Sequence, residues 1–419
     1  RHAVRLADRP ALIGDRVMTY GELVERVERV TVDRPVVAVR HPNGAEFVVE
    51  LLGALRAGAA VTPVSPLFTE REAAPQLAIR RADDGVALLL SSSGTTGLPK
   101  IVQLTHRAAI TSICQFASVF PYYEGERVLG LAPFAHIMGL SCVLLHALSS
   151  GATVVAMPRF DLEEMLRKIE EHRIAHMLVP PPVLAALAHH PVVDAYDLSS
   201  LRIVAAGGAP ATAELERAVA DRLGCLVAQG YGMTEAGPMI ASPIVEPPAI
   251  RHGSVGHVMP GTAVRLVDGE VWVRGPHLMA GYLDDAEATA ATIDADGWLH
   301  TGDLGRFDDD GFLYLGDRLK ELIKVKGFQV APAELEGLLR AHPAVADAAV
   351  VGVPDEEAGE RPVAFVVARG ELDRDELMAH VAAQVAPYKQ LRDIEEVDAL
   401  PRSPTGKLLR RLLVAGVVA

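Results

Sequence analysis

Cysteine is scarce in this 419-residue chain: Cys114, Cys142 and Cys225 are the only three, and they stand far apart. Such isolated cysteines supply neither a disulfide framework nor the paired ligands of a zinc site, and each reads as a small core hydrophobe. Apolar runs of membrane-spanning length are missing, as are long repeats and low-complexity segments. Positive charge is the minority sign, with 40 Lys and Arg against 54 Asp and Glu and a net charge of −14. General binding to nucleic acid or to a membrane surface is therefore disfavoured, and an anionic substrate has to be drawn by a local basic cluster. The sequence opens on Arg1-His2-Ala3-Val4-Arg5 rather than on a secretory signal, so a cytoplasmic location is expected. Half of the residues are hydrophobic, enough for a large core divided over two or more domains.

One stretch organises the rest. The apolar run Val86-Ala87-Leu88-Leu89-Leu90 empties into Ser91-Ser92-Ser93-Gly94-Thr95-Thr96-Gly97-Leu98-Pro99-Lys100, which reads as a strand followed by a polyphosphate-binding loop. Glycines let the backbone approach an anion, hydroxyls and N–H groups donate to its oxygens, and Lys100 adds a positive charge. A solvent-exposed Ser/Gly/Thr turn is the competing reading of this string alone. The spacing is not G-x-x-x-x-G-K-[ST], which disfavours an ordinary P-loop NTPase.

Along the chain, helical spacing over Thr19 to Val27 precedes a strand at Val36 to Val39, a helix from Glu46 to Leu55 and a strand at Ala59 to Val64. Strands at Gly151 to Ala156, Ala175 to Val179 and Leu201 to Ala206 alternate with helices at Leu162 to His172 and Ala213 to Leu223. This alternation predicts an α/β fold with parallel sheets, whose ligands lie beyond the carboxyl ends of the strands. Three loops fit that rule: Ser91 to Lys100, Gly207 to Pro210, and Gln229 to Gly232. From about 250 to 316, short alternating strands such as Ala263 to Val267 and Glu270 to Arg274, divided by Asp-Gly turns, predict a small β-rich subdomain. A small α/β domain is expected over 318–419, after a large N-terminal domain over 1–317, with helices at Glu334 to Arg340 and Glu376 to Val385 and strands at Val345 to Val353 and Val363 to Val367.

Six strings occur in order: Ser92 to Lys100; Pro133-Phe134-Ala135-His136; Gln229-Gly230-Tyr231-Gly232-Met233-Thr234-Glu235-Ala236; Gly297-Trp298-Leu299-His300-Thr301-Gly302-Asp303-Leu304; Asp317 to Val330; and Pro401-Arg402-Ser403-Pro404-Thr405-Gly406-Lys407. Together they resemble the acyl-adenylate-forming (AMP-binding) superfamily of acyl-CoA synthetases, most closely its 4-coumarate:CoA ligase-like branch. The resemblance implies a ligase that joins a carboxylate to the α-phosphate of ATP, releases pyrophosphate, and lets the thiol of coenzyme A displace AMP. Both half-reactions hold anionic groups against their mutual repulsion. It also implies a C-terminal domain that is mobile and rotates between the two steps.

The resemblance assigns Ser92, Ser93, Gly94, Thr95, Thr96 and Lys100 to the β- and γ-phosphates, and Thr96 with Glu235 to a magnesium ion, a hard cation that prefers oxygen ligands. It assigns Gly208, Gln229, Gly230 and Thr234 to the nucleotide wall, Asp303 to the ribose hydroxyls and Arg318 to the nucleotide. A surface turn is the competing reading of Asp303. Lys407 is implied to neutralise the meeting carboxylate and α-phosphate, and Lys320 to mark the hinge. Arg159, Lys326 and Gly327 fall on the coenzyme A side. Arg318, Lys320, Lys324 and Lys326 lie within nine residues and form the local basic cluster. His136, Met138, Cys142, Gly207, Gly208, Gly230 and Met233 match the acyl pocket, with a satisfied core histidine as the alternative for His136.

Two departures from the family stand out. Several dozen family residues before the phosphate loop are compressed here into Ala73 to Ala87, which predicts a remodelled sheet edge that the fold tolerates or a partner subunit covers. Where the coumarate enzymes have a tyrosine and a serine after the histidine, this chain has Met138 and Cys142. A pocket for a phenolic hydroxyl that loses both polar groups leaves that hydroxyl unpaired, at about 1–3 kcal/mol. An apolar carboxylic acid is therefore expected, in a pocket that Gly207 and Gly208 leave wide. Transfer to a carrier-protein thiol, a member performing one half-reaction, and a non-catalytic nucleotide-binding protein remain alternatives. The sequence is compatible with a homo-oligomer.

Overall fold

Val128, Val154, Leu178, Ile203 and Ala205 belong to one hydrophobic cluster, while Leu129, Val155, Met177, Val179 and Val204 belong to another. Neighbouring residues of a strand point to opposite faces, so these strands are buried on both sides, which is why they read as continuous apolar runs. The computed structural model describes residues 2–92, 100–245, 248–318, 321–325, 328–355, 358–403 and 408–418. The chain divides into two units, one of 1–265, 272–300 and 307–314, the other of 266–271, 301–306 and 315–419.

The first unit holds a seven-stranded sheet in the order Leu226–Gln229, Ile203–Ala206, His176–Val179, Arg127–Gly130, Thr153–Ala156, Pro10–Ile13, Val17–Thr19. Every pair is parallel except the last. Helices Leu162–His172, Pro181–His189 and Ala213–Leu223 supply apolar residues to the second of the two clusters. Asp161 caps the first of these by accepting from Glu164 N–H at 2.9 Å, and Thr212 caps the third. Gly224, at φ +64°, ends that third helix in the left-handed conformation that glycine adopts without steric cost.

A second sheet of the same unit runs Gly281–Tyr282, Ile101–Thr105, Val86–Ser91, Ala60–Pro63, Val36–Val39. Its first two pairs are antiparallel and its last two parallel, so the strands Val86–Ser91 and Ile101–Thr105 on either side of the expected phosphate loop pair as a hairpin. Ser92 N–H donates to Lys100 O at 2.9 Å at the loop's base. The compressed stretch Ala73 to Ala87 begins inside the helix Glu70–Leu77, which starts with a Thr69/Glu72 capping box. Gln76, on the buried side of this helix, donates to Thr62 Oγ1 and Pro63 O, and Asp83 is tied to Gln103 in both directions. The strand Ala60–Pro63 then lies directly beside Val86–Ser91.

Also in this unit, Arg265 lies over the rings of both Trp272 and Trp298, Arg274 covers Trp298, and Trp272 stacks on His300 with ring centroids 3.7 Å apart. The second unit carries a five-stranded sheet in which Val345–Asp355 and Gly359–Ala368 form a long antiparallel pair. Pro332–Arg340 and Arg374–Ala382 pack their apolar side chains into its core. Asp268 and Gly269, at φ +50° and +84°, make the expected Asp-Gly turn. No helix among the described residues is long and apolar enough to cross a membrane.

Candidate active site

Strands Ile203–Ala206 and Leu226–Gln229 are parallel neighbours, so the loops leaving their carboxyl ends emerge side by side. Gly207 N–H donates to Val179 O at 3.2 Å and Gly230 N–H to Ala206 O at 3.0 Å, which extends the ladder into both loops. Gly208 has φ +83°, a conformation that suits glycine. The Gln229 side chain is committed to the backbone of Ala211: it accepts from Ala211 N–H at 3.0 Å and donates to Ala211 O at 2.9 Å. It therefore braces the two loops against each other, and only its backbone is left to line a wall. A Cβ at Gly230 would fall 2.6 Å from Met239 Cε, so the room left by this glycine is filled by a methionine tip.

His136 follows a turn built by Asn43, whose side chain donates to Gly130 O at 2.8 Å and Ala132 O at 3.0 Å and accepts from Phe134 N–H at 2.8 Å. Its Nδ1 accepts from Met138 N–H at 3.3 Å. The next segment, Met138–Leu145, is a π-helix buried along nearly its whole length. That explains the absence of any readable period in Met-Gly-Leu-Ser-Cys-Val-Leu-Leu. Met138 points at the strand-end loops, and a Cβ on Gly207 would lie 3.0 Å from its sulfur. The expectation of a wide pocket at Gly207 is corrected by this contact, because Met138 occupies the space the glycine leaves. Cys142, one turn on, is buried in the main hydrophobic cluster, and its carbonyl accepts from Tyr122 Oη at 3.2 Å. Burial pushes the Cys142 thiol pKa far up, as befits a small core hydrophobe.

Thr234 and Glu235 form a buried 3₁₀ turn just past Met233. Met279 N–H donates to Glu235 O at 2.9 Å and Ala280 N–H to Gln103 O at 2.9 Å, joining this turn to the strand that leaves the phosphate loop. Tyr282, which the sequence reading missed, donates its hydroxyl to Glu235 Oε1 at 2.9 Å. The Lys100 ammonium lies 4.8 Å from the centre of the same ring. Burial, and then the neighbouring Glu235 charge, push the Tyr282 hydroxyl pKa well up, so it remains a donor. Glu235 is only 6% exposed, and no lysine, arginine or histidine among the described residues pairs with it. A buried anionic oxygen ligand without a protein cation suits a divalent cation such as magnesium.

Lys100 and Ser92 are described, whereas Ser93, Gly94, Thr95, Thr96, Lys320, Lys326, Gly327 and Lys407 lie outside the described residues, as does the side chain of Arg318. Arg159 is exposed beyond the strand Thr153–Ala156. Asp303 belongs to the other unit. It lies in the strand Leu299–Phe307 and is 6% exposed, so the surface-turn reading is set aside. Its N–H donates to Thr301 Oγ1, which itself donates to Val271 O.

A buried carboxylate, a lysine at the base of a Ser/Thr/Gly loop and glycine-lined strand ends suit a nucleotide-handling enzyme. The profile of the AMP-binding enzyme family matches residues 1–83 and 73–283, and that of the AMP-binding enzyme C-terminal domain matches 334–407. The chain belongs to the AMP-binding enzyme family. It is 38% identical over 498 aligned residues to 4-coumarate–CoA ligase 5 of Oryza sativa subsp. japonica, covering 98% of this chain and 92% of the relative. To the 4-coumarate–CoA ligase of Pinus taeda it is 42% identical over 373 residues, covering 84% and 70%. Among solved structures, o-succinylbenzoate CoA synthetase from Bacillus subtilis in complex with its acyl-adenylate intermediate superposes with a TM-score of 0.87 at 29% identity, covering 98% and 96%. The amide bond synthetase of Marinactinospora thermotolerans reaches 0.88 at 27%, covering 99% of both chains. The rice alignment is longer than this chain, 498 against 419 residues, and the family profile breaks at 73–83, within the compressed stretch.

Proposed function

We propose that this enzyme is an ATP-dependent, AMP-forming acid–CoA ligase that activates an apolar carboxylic acid as its acyl-adenylate and passes the acyl group to coenzyme A. The observation that carries the reading is the joining of Lys100 and Glu235 through Tyr282, beside strand-end loops that Met138 approaches. Likeness to 4-coumarate–CoA ligases over nearly the full length supports it.

In this reading Lys100, with Ser92, Ser93, Gly94, Thr95 and Thr96, holds the β- and γ-phosphates, while Glu235 and Thr96 would hold magnesium. The ion supplies neutralisation of phosphate charge when bound. Gly208, Gln229, Gly230 and Thr234 border the nucleotide, and Asp303 and Arg318 take its ribose and phosphate side. His136 orients the substrate carboxylate, and Met138 and Met233 contact its apolar body. Lys407 stands between carboxylate and α-phosphate as they meet, a role useful only in that arrangement. Lys320 is the hinge between domains over 1–317 and 318–419, and Arg159, Lys326 and Gly327 face coenzyme A. The site of action is cytoplasmic, where ATP and coenzyme A are both supplied.

The test scores a panel of carboxylic acids separately for pyrophosphate release and for thioester formation, with wild type and Lys407→Ala. Wild type is expected to prefer cinnamate and larger apolar acids over 4-coumarate. Lys407→Ala is expected to lose nearly all pyrophosphate release while still forming thioester from supplied acyl-adenylate. Pyrophosphate release with no thioester would overturn the coenzyme A step, and equal loss of both half-reactions in folded Lys407→Ala would overturn that lysine's role.

A further inference from the structure

Lys100 and Glu235 carry opposite charges, and both approach one side chain, yet they form no ion pair with each other. Between them stands Tyr282. Its ring faces the ammonium at 4.8 Å, and its hydroxyl, which also hydrogen-bonds Thr292, donates to the carboxylate at 2.9 Å. The tyrosine is itself held firmly. Gly281–Tyr282 pairs with Val102 and Gln103 on the strand leaving the phosphate loop, and Tyr282 N–H donates to Thr289 Oγ1 at 2.9 Å. Thr289 packs so closely on Gly281 that a Cβ there would meet its Cγ2 at 2.8 Å.

We propose that Tyr282 is a positioning residue that keeps Lys100 and Glu235 apart, leaving the ammonium free for phosphate oxygens and the carboxylate free for the magnesium ion. The inference rests on the adenylation reading above and adds to it a residue and a division of labour. A cation and a carboxylate that pair with each other neutralise the charges that each needs for its own ligand. An aromatic face attracts the cation without consuming the anion, and a phenolic hydroxyl orients the anion without neutralising it. The two contacts are separable, because phenylalanine keeps the ring and loses the hydroxyl, whereas leucine loses both.

The experiment is calorimetric titration of the full chain with ATP, once in saturating Mg²⁺ and once in EDTA, alongside kcat and KM for pyrophosphate release. Wild type is expected to bind ATP more tightly with Mg²⁺. Tyr282→Phe is expected to keep metal-free ATP binding within about twofold and to lose about tenfold of the Mg²⁺-dependent tightening, the scale of one hydrogen bond to a charged group. Tyr282→Leu is expected to lose metal-free binding as well, by a further factor of about five, the scale of one cation–π contact. In pyrophosphate release, Tyr282→Phe raises the Mg²⁺ needed for half-maximal rate more than it lowers kcat at saturation. The inference is overturned if Tyr282→Phe matches wild type in both titrations, or if Tyr282→Phe and Tyr282→Leu lose equally with and without Mg²⁺. A wild-type chain that binds no ATP in either buffer overturns the adenylation reading itself and this inference with it.

Discussion

Gly139 and Gly207 stand at two ends of one contact region, and their surroundings set opposite tolerances. A Cβ at Gly139 would meet the carbonyl oxygens of Pro133 and Ala132 at 2.3 and 2.5 Å. Both atoms belong to the Asn43-held turn that leads into His136, so the backbone itself must move. At Gly207 the nearest atom is the flexible tip of Met138 at 3.0 Å. Gly139→Ala is expected to lower stability by about 1–3 kcal/mol, the range for overpacking a filled site, and to raise KM for the acid more than KM for ATP. Gly207→Ala is expected to cost less than about 1 kcal/mol and to narrow acid choice by displacing Met138. Denaturant unfolding and the acid panel check both. None of this is readable locally. Asn43 acts on a turn 87 residues and more away, and Tyr282 on Glu235 across 47, so neither leaves a pattern of its own in the sequence.

Elements with caps and a clear period were legible to the residue: Leu162–His172 and Ala213–Leu223 have the expected ends, because Asp161, Thr212 and Gly224 punctuate them. The π-helix Met138–Leu145 was not legible, since a segment apolar at every position but Ser141 has no polar face to betray its twist. The phosphate-loop strand was legible, but its antiparallel partner Ile101–Thr105 was not. The C-terminal helix Arg410–Val418 was also missed, and its first residue is an anchor. Arg410 donates to Glu321 at 2.9 Å, to Val350 O at 3.0 Å and to the buried Glu336. Arg410→Ala would leave the buried Glu336 with only Arg340, 3.8 Å from its carboxylate, as a cation, and the expected loss is about 3 kcal/mol in the second unit, the low end for breaking a buried pair, measured by denaturant unfolding. Arg410→Lys is expected to restore only part, because an ammonium cannot reproduce the guanidinium fork.

For the molecule as a whole, Glu216 ties acidity to stability. It is fully buried on the helix Ala213–Leu223, where one oxygen accepts from Gly253 N–H at 2.8 Å and lies 3.4 Å from His252 Nδ1, and the other has no hydrogen-bond partner among the described residues. Burial raises its pKa to about 7, against smaller opposing effects of Gly253 N–H, Arg217 and Gln229. The folded chain thus holds this proton more tightly than the unfolded chain does. The stability due to Glu216 is full below the ordinary carboxylate range and is lost as pH rises through about 7. Glu216→Gln, neutral at every pH, is expected to remove that dependence. The difference in Tm between variant and wild type should therefore grow in the variant's favour from about pH 5 to about pH 8, as calorimetry would read; a constant difference would place the proton elsewhere.

The cation–π ladder of Arg265, Trp272, Trp298 and Arg274 contains both tryptophans of the chain. Both fall in the first unit, and none lies within 266–271, 301–306 or 315–419. Intrinsic tryptophan emission is therefore a signal from one unit alone, while far-ultraviolet circular dichroism averages over two. Loosening the Arg410 anchor acts on the second unit and is expected to be read in the dichroism signal, whereas the emission reads the surroundings of Trp272 and Trp298.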